Sequence, residues 1–178
     1  MFTVRRILLL FCWLGLLLFP AEARPETEYP FRLDGVRVYK HVANWKELRD
    51  KDVVKQKFDY SCGSGALATL MRIGFGDQVT ETQIIKLILQ GKSQEEINEI
   101  ERKGYSLLDL KRAAEQKGYT TAMYKLQLSH LRQLQGPVLI YIEHHGLKHF
   151  AVFKGLKGDR VYLADPARGN TRVSIYRF

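Results

Sequence analysis

The sequence predicts an α+β protein in which N-terminal helices pack on a C-terminal antiparallel sheet. Two features of the apolar pattern lead to this prediction. From Cys62 to Gly118 the apolar residues recur at the spacing of helices, whereas after Gly118 they follow the pattern of strands. Helices in one block followed by strands in another are typical of α+β proteins.

The first 23 residues have the layout of a secretory signal peptide. Two arginines precede an apolar run, residues 7–19, and small residues in an A-x-A arrangement follow it. The run is shorter than the roughly 20 residues of a membrane-spanning helix, so we expect cleavage after Ala23 rather than a retained anchor. The mature protein would then be periplasmic or secreted, and it would meet the membrane only in transit through the signal peptide.

The remaining chain, about 155 residues, suits one domain with a single core. We divide it into a leader segment of mixed character, residues 24–52, and a globular domain, residues 53–178. The leader contains an alternating stretch, residues 31–39, that is typical of one short strand. The composition, 46% hydrophobic and 26% charged, is that of an ordinary globular protein.

The net charge of the whole chain is +9. A basic surface can attract acidic partners such as nucleic acid, anionic lipid or anionic cell-wall polymer. The lysines and arginines, however, lie at ordinary intervals, with no arginine-rich run and no nucleic-acid motif. We therefore expect a solvated basic face and no nucleic-acid partner.

Start and stop signals divide the helical block into four helices. Capping boxes at Thr80–Gln83 and Ser106–Asp109 mark two of the starts. Glycines at 74 and 76 mark the end of the first helix. The predicted helices cover residues 62 to about 73, a segment through 88 after the first capping box, 93–102 with Gly104 as its stop, and 107 to about 118.

The second block contains five predicted strands and one short helix. Glycine, proline and asparagine at 155–159 and 166–170 supply the turns between the last strands. The strongest signal is the buried apolar run at 137–143. The predicted strands cover residues 121–126, 137–143, 148–154, 160–165 and 171–176, and the short helix covers 129–134.

Cys62 is the one cysteine left once the signal peptide, which carries Cys12, is removed. A lone thiol in an exported protein makes no internal disulfide, so it is either buried filler or a reactive group. It stands where a polar loop turns into a helix, and the free N–H groups and dipole of a helix start favour a thiolate. This position makes Cys62 a candidate nucleophile.

Three other residues complete a candidate site for cysteine-based hydrolysis. His149 lies on a predicted strand, from which it can point at the start of a helix packed over the sheet and act as the base. Asp165 ends the next strand, so its carboxylate can orient the imidazole. Gln56, six residues before Cys62, can place a side-chain amide beside the backbone N–H of Cys62 and form an oxyanion hole.

Each of these residues also has an ordinary structural interpretation. A free cysteine on an apolar helix is commonly inert core, and a histidine on a strand is often a structural residue. Asp-Pro is a frequent turn starter, and a glutamine before a helix is usually solvated. The four residues together favour the catalytic interpretation more than any one of them does alone, because their order along the chain and their element types fit one geometry.

The segment around Cys62 closely resembles the nucleophile segment of the C39 peptidases, a family of papain-like cysteine peptidases that mature bacteriocin-type peptides after a double-glycine leader. Residues 54–70 read Val-Lys-Gln-Lys-Phe-Asp-Tyr-Ser-Cys-Gly-Ser-Gly-Ala-Leu-Ala-Thr-Leu. Residues 149–155, His-Phe-Ala-Val-Phe-Lys-Gly, resemble the histidine strand of the family. Residues 163–169, Leu-Ala-Asp-Pro-Ala-Arg-Gly, resemble its aspartate turn.

The resemblance implies a papain-like fold over residues 53–178 and a thiol peptidase that needs no cofactor. It assigns Cys62 as nucleophile, His149 as base, Asp165 as orienting residue and Gln56 as oxyanion donor. Family domains usually continue beyond the strand at 171–176 with a short helix and a further strand. We therefore expect this domain to be short at its C-terminus.

The surroundings of the domain differ from those of bacteriocin-processing members. Those domains generally belong to ABC transporters, whereas this sequence has no transporter-type span and no ATPase motif. It looks most like stand-alone C39-like peptidases, some of which accompany secretion systems for functional amyloid fibres in Gram-negative bacteria. The implied partner is a peptide or protein substrate, such as a fibre subunit, a leader peptide or a secretion component.

Two other functions stay open at this stage. The same fold without activity would be a binding module that holds a secreted subunit or leader. The same thiol chemistry could serve as amidase action on cell-wall peptides. A zinc site around Glu143, His144, His145 and His149 is not expected, because the sequence has no H-E-x-x-H motif and no cysteine pair.

Overall fold

The computed structural model describes residues 28–144 and 147–178, so the predicted signal peptide lies outside the described residues. Within those two ranges, no helix combines the length and the apolar character that crossing a membrane requires. The described chain forms two compact units, which divide between Val42 and Ala43.

The first unit contains an antiparallel hairpin of β1 (Glu28–Leu33) and β2 (Val36–His41). Asp34 and Gly35 join the strands with φ values of 45° and 83°. Two residues with positive φ are what a tight hairpin turn requires, and Asp-Gly is a preferred pair for it. The prediction of one strand over 31–39 was therefore wrong, because this dipeptide turns the chain in the middle of the stretch.

Several helices of the second unit begin with capping boxes, two of which the sequence predicts. Thr80, Ser93 and Ser106 each accept a hydrogen bond from the backbone N–H three residues later, and each forms a complete capping box. These boxes satisfy N–H groups that would otherwise lack partners. The α-helices are α1 (Trp45–Asp50), α2 (Cys62–Phe75), α3 (Glu81–Leu89), α4 (Gln94–Lys103) and α5 (Leu107–Gln116), and a 3₁₀ helix follows at Leu128–Gln133.

A four-stranded antiparallel sheet follows the helices. Its strands are β3 (Val138–His144), β4 (Leu147–Lys157), β5 (Arg160–Asp165) and β6 (Gly169–Ser174), in the order β3-β4-β5-β6. Each strand pairs with the next one along the chain, as short connections favour. The predicted α+β class, with N-terminal helices packed on a C-terminal antiparallel sheet, is confirmed.

Three local predictions were wrong. Helix α2 continues through Gly74 and ends at Gly76, which adopts φ 73° and lets the backbone turn left-handed. Residues 121–126 form no strand, because they pair with no neighbour in the described chain. Gly155 lies inside β4 at an irregularity in its pairing with β5, and the turn comes later, at Gly158.

The core of the second unit places α2 at its centre. The small side chains Ala66 and Ala68 are fully buried and pack in one cluster with Phe150 and Val152 of β4. A second cluster contains Phe153 and residues of β5 together with Leu131 of the 3₁₀ helix. Burial on both faces fixes β4 between the two clusters, and it holds the start of β4 close to the start of α2.

Candidate active site

Cys62 is the first residue of α2 and is half-buried. The residue before it, Ser61, is the N-cap of the helix but makes no capping hydrogen bond with its side chain. The backbone N–H of Gly63 instead helps to lower the pKa of the thiol. The helix start therefore offers its free N–H groups to the sulfur, where they stabilise a thiolate.

His149 and Asp165 form a hydrogen-bonded pair beside this thiol. The Nε2 atom of His149 lies 3.0 Å from Oδ1 of Asp165. The imidazole also lies close enough to the Cys62 thiol for each group to shift the pKa of the other. Because Nε2 is used by the carboxylate, Nδ1 is the ring nitrogen left to exchange a proton with the thiol. The structure thus brings together three of the four predicted site residues, in the order thiol, imidazole and carboxylate.

The charges of this triad shift all three pKa values toward an ion pair. Burial raises the pKa of the Cys62 thiol. The other effects outweigh burial and hold that pKa below its usual value: the hydrogen bond to His149, the backbone N–H groups of Phe150 and Gly63, and the charge of the imidazolium. The hydrogen bond to Asp165, followed by that to Cys62, raises the pKa of His149 to about 9. Both shifts act in the direction of the thiolate–imidazolium form.

The carboxylate of Asp165 is held by its own turn. Its side chain is nearly fully buried, and Oδ1 accepts the N–H groups of Ala167 at 2.8 Å and Arg168 at 3.1 Å. Burial raises the pKa of the Asp165 carboxyl group. The interaction with His149 and the two backbone hydrogen bonds lower that pKa by more than burial raises it, so the group stays ionised. The Asp-Pro sequence forms a turn here, as expected, and the turn also aims the carboxylate at the imidazole.

A segment before α2 clamps this turn from outside. The N–H of Gln56 donates to the carbonyl of Pro166 at 3.1 Å, and Nζ of Lys55 donates to the carbonyl of Ala167 at 2.7 Å. Gly169 has φ 87°, and a Cβ there would lie 2.6 Å from the carbonyl oxygen of Arg49. The residue after the turn must therefore be glycine, because the clamping segment passes directly over it.

Two glycines after Cys62 let the elements of the site approach closely. A Cβ on Gly63 would lie 3.1 Å from the side chain of Leu110, and one on Gly65 would lie 2.9 Å from the Cβ of Pro166. Gly65 also faces the carbonyl of Val54, at 3.1 Å from such a Cβ. The Cys-Gly-Ser-Gly string thus allows α2 to pack against the aspartate turn as well as to start the helix.

The side chain of Gln56 is tied to the loop before α2. Its Nε2 donates to the carbonyl of Phe58 at 3.0 Å. Its Oε1 is buried and has no hydrogen-bond partner within the described chain. The backbone of Gln56 is fixed to the aspartate turn, as described above. Its role as oxyanion donor stays a prediction.

A cleft of about 510 Å³ opens beside Cys62. Its apolar lining comes from α4, α5 and the first two strands of the sheet, and Leu107 and Tyr141 in it are 39% and 40% exposed. Charged residues of α4 and Lys148 also line it. An open cleft with apolar surface and polar edges is suited to a peptide chain. The apolar residues are Ile100, Leu107, Tyr141 and Phe150.

Sequence reasoning missed two kinds of residue at this site. The close packing at Gly65 and Gly169 involves segments that are distant in the sequence, so only the fold shows it. The closely spaced glycines around Cys62 were nevertheless a signal that the backbone is closely approached there. Glu81, the first residue of α3, is 2% exposed and bonded to the loop before Cys62. A glutamate in the first turn of a helix is usually exposed to solvent, so nothing in the sequence indicated that Glu81 is buried.

Solved structures share this fold. The peptidase domain of Streptococcus ComA, a bi-functional ABC transporter involved in quorum sensing, superimposes with a TM-score of 0.58 at 23% identity, covering 71% of this chain and 88% of that one. A double glycine motif protease from an AMS/PCAT transporter, solved with its leader peptide, gives a TM-score of 0.56 at 24% identity, covering 71% and 81%.

Curated relatives are more similar in sequence. A probable functional amyloid protease FapD from Pseudomonas aeruginosa is 35% identical over 84% of this chain, and its counterpart from Pseudomonas fluorescens is 36% identical over 79%. The match spans only 65% and 61% of the length of these two relatives. The sequence profile described as Peptidase C39 family matches residues 50–178, which contain the whole triad, and the chain therefore belongs to the C39 peptidase family.

Proposed function

We propose that this protein is an exported cysteine peptidase that cleaves a peptide bond after Gly-Gly in a secreted protein or leader, in support of a fibre-assembly system. The observation that carries the proposal is the triad of Cys62, His149 and Asp165, whose pKa shifts favour a thiolate and an imidazolium. A family member that only bound its partner would have no need of this ion pair.

The proposed reaction follows from the atoms of the triad. The Cys62 thiolate attacks the carbonyl carbon, the S–C bond forms, and the electron pair of the C=O bond moves to the oxygen. The N–H of Cys62 and the amide of Gln56 stabilise that oxyanion. The C=O bond then re-forms and the C–N bond breaks, while the imidazolium of His149 gives its proton to the leaving amine, so that a thioester remains on Cys62. Water attacks the thioester with His149 as base, the S–C bond breaks, and the carboxylate product leaves as Cys62 regains its thiolate.

The substrate class rests on the relatives and the cleft. Two relatives more than a third identical to this chain are named as probable functional amyloid proteases. A solved structure of the same fold is a double glycine motif protease bound to a leader peptide, which makes Gly-Gly peptides the first substrates to test. A cleft of about 510 Å³ beside the thiol gives such a peptide a place to bind.

Peptide cleavage by the purified protein tests the proposal directly. Peptides of about 20 residues with an internal Gly-Gly would be incubated with the wild type and with Cys62→Ala, and the products identified by mass spectrometry. We expect one cut after Gly-Gly in the wild type, none in Cys62→Ala, and none when Gly-Gly is replaced by Val-Val. Binding without cleavage would support a binding module instead, and release of cell-wall peptides from a sacculus digest would support an amidase.

Export is a separate part of the proposal. It is supported by the basic, apolar and small-residue order of the first 23 residues. Expression of the full chain in a Gram-negative host, followed by fractionation and N-terminal mass analysis, would test it. We expect a periplasmic protein that begins at Arg24, and an intact cytoplasmic chain that still begins at Met1 would contradict export without affecting the peptidase assignment.

A further inference from the structure

Glu81 is a buried carboxylate that the triad chemistry does not use. Its side chain is 2% exposed, and its Oε1 accepts two hydrogen bonds, from the N–H of Lys57 at 2.9 Å and from Oγ of Ser61 at 2.5 Å. Its Oε2 has no partner among residues 28–144 and 147–178. Burying a carboxylate is unfavourable unless it is well bonded, so stability alone does not account for an acid here.

The two donors flank the two groups of the proposed oxyanion hole. The N–H of Lys57 belongs to the peptide unit that follows Gln56, and Ser61 directly precedes Cys62. One carboxylate oxygen is therefore bonded next to both Gln56 and Cys62. Through these two hydrogen bonds, Oε1 of Glu81 constrains the distance between Gln56 and Cys62.

The hydroxyl of Ser61 extends the same network into the loop. Ser61 is fully buried, and its Oγ accepts the N–H of Phe58 at 3.1 Å. The hydroxyl has two acceptors within reach, Oε1 of Glu81 at 2.5 Å and the carbonyl of Phe58 at 2.9 Å, and the shorter contact is to Glu81. The carbonyl of Phe58 in turn accepts the side-chain amide of Gln56 at 3.0 Å. The loop 57–61 is thereby closed around Ser61, and the Gln56 amide is attached to that loop.

We propose that Glu81 is a positioning residue that sets the oxyanion hole, by holding Gln56 and the backbone N–H of Cys62 at a fixed separation through Lys57 and Ser61. The proposal rests on the proposed function, because it gives these two groups the task of binding an oxyanion. Glu81 touches no substrate itself. It is held at the start of α3, whose dipole also favours a negative charge there.

Two probes of Cys62 separate the oxyanion hole from the thiolate. A peptide aldehyde ending in Gly-glycinal reacts reversibly: an S–C bond forms, the C=O π bond breaks, and the oxygen carries the negative charge into the hole. Iodoacetamide reacts by displacing iodide and creates no oxyanion. The variants are Glu81→Ala, Glu81→Gln and, as a control, Glu95→Gln, an exposed acid in the first turn of α4.

We expect Glu81→Ala to raise the dissociation constant of the aldehyde by roughly tenfold or more, while the rate of iodoacetamide labelling stays within about twofold. Glu81→Gln keeps an acceptor oxygen for both donors, so its affinity for the aldehyde should stay within about threefold of the wild type. Glu95→Gln should change neither probe. If Glu81→Ala does not fold, Ser61→Ala removes the central hydroxyl and should weaken aldehyde binding in the same direction.

Three outcomes would overturn the inference. A folded Glu81→Ala protein that binds the aldehyde like the wild type would show that the carboxylate does not set the hole. Equal losses in labelling and aldehyde binding would show that the loop supports the thiolate instead. A wild type that labels as an ordinary thiol and binds no aldehyde would reject the proposed function, and this inference with it.

Discussion

His149 Nε2 lies 3.0 Å from Asp165 Oδ1, so the carboxylate occupies Nε2 and leaves Nδ1 to exchange a proton with Cys62. This relationship fixes the tautomer and the direction of proton transfer together. With Nε2 protonated toward Asp165, only Nδ1 can take the thiol proton, and the resulting imidazolium is stabilised on its far side.

Replacing His149 by alanine should make Cys62 an ordinary thiol. The hydrogen bond and the charge of the imidazolium are two of the causes that hold the thiol pKa below its usual value, and burial acts in the opposite direction. Without the imidazole, burial raises the pKa. Labelling by iodoacetamide at about pH 7 should slow by roughly tenfold or more. His130→Ala, an exposed histidine on the 3₁₀ helix, is the matched control and should label like the wild type.

Replacing Asp165 by asparagine should shift the alkaline limit of activity toward lower pH. The carboxylate is the largest cause that raises the pKa of His149 from 6.5 to about 9. Asparagine keeps an acceptor oxygen for the turn but removes the charge, so the imidazolium loses its proton at lower pH. The upper limb of the pH–rate profile, measured on a cleaved peptide, should move down toward 6.5. An unchanged upper limb would mean that it does not report His149.

The histidine–aspartate pair should also appear in the pH dependence of stability. A raised pKa in the folded state stabilises the fold fully below the unfolded value of 6.5, and the contribution is lost as pH rises through about 9. The lowered thiol pKa of Cys62 has the opposite slope, so the Cys62→Ala variant isolates the histidine–aspartate pair, although it also removes the smaller contribution of Cys62 to the raised pKa of His149. Its free energy of unfolding in urea should fall by about 1–2 kcal/mol from pH about 6 to pH about 9.5.

The double variant Cys62→Ala/His149→Ala is the reference for that measurement. It retains every other titratable group, so the difference between the two curves belongs to the imidazole. Parallel curves for the single and double variants would show that His149 has the same proton affinity in the folded and unfolded chains. That result would contradict the raised pKa.

The sequence predicted most of the elements, and it picked out three residues that the fold brings together, because these depend on local signals. The capping boxes at Thr80 and Ser106 start α3 and α5 as expected. The helix start at Cys62 and the Asp-Pro turn at Asp165 are also local. What the sequence did not reveal depends on contacts between distant segments: the clamp of residues 49–56 over the aspartate turn, and the buried acid at Glu81. The apolar residues at 121–126 favour a strand locally, but no neighbouring strand in the described chain pairs with them.

Gly65 gives the sharpest test of the close packing between α2 and the aspartate turn. An alanine Cβ there would lie 2.9 Å from Pro166 Cβ and 3.1 Å from the carbonyl oxygen of Val54. A proline ring and a backbone carbonyl cannot swing away as a flexible side chain would, so the turn that carries Asp165 must move. We expect Gly65→Ala to lower the free energy of unfolding by about 1–3 kcal/mol, and to slow peptide cleavage by roughly 10- to 100-fold.

Gly74→Ala, in the same helix with its contacts at 3.5 Å and beyond, is the matched control. It should stabilise α2 by about 0.5–1 kcal/mol and leave cleavage unchanged, because alanine favours the helix interior more than glycine does. Equal effects at both positions would mean that helix propensity, rather than contact with the aspartate turn, explains the glycine at 65.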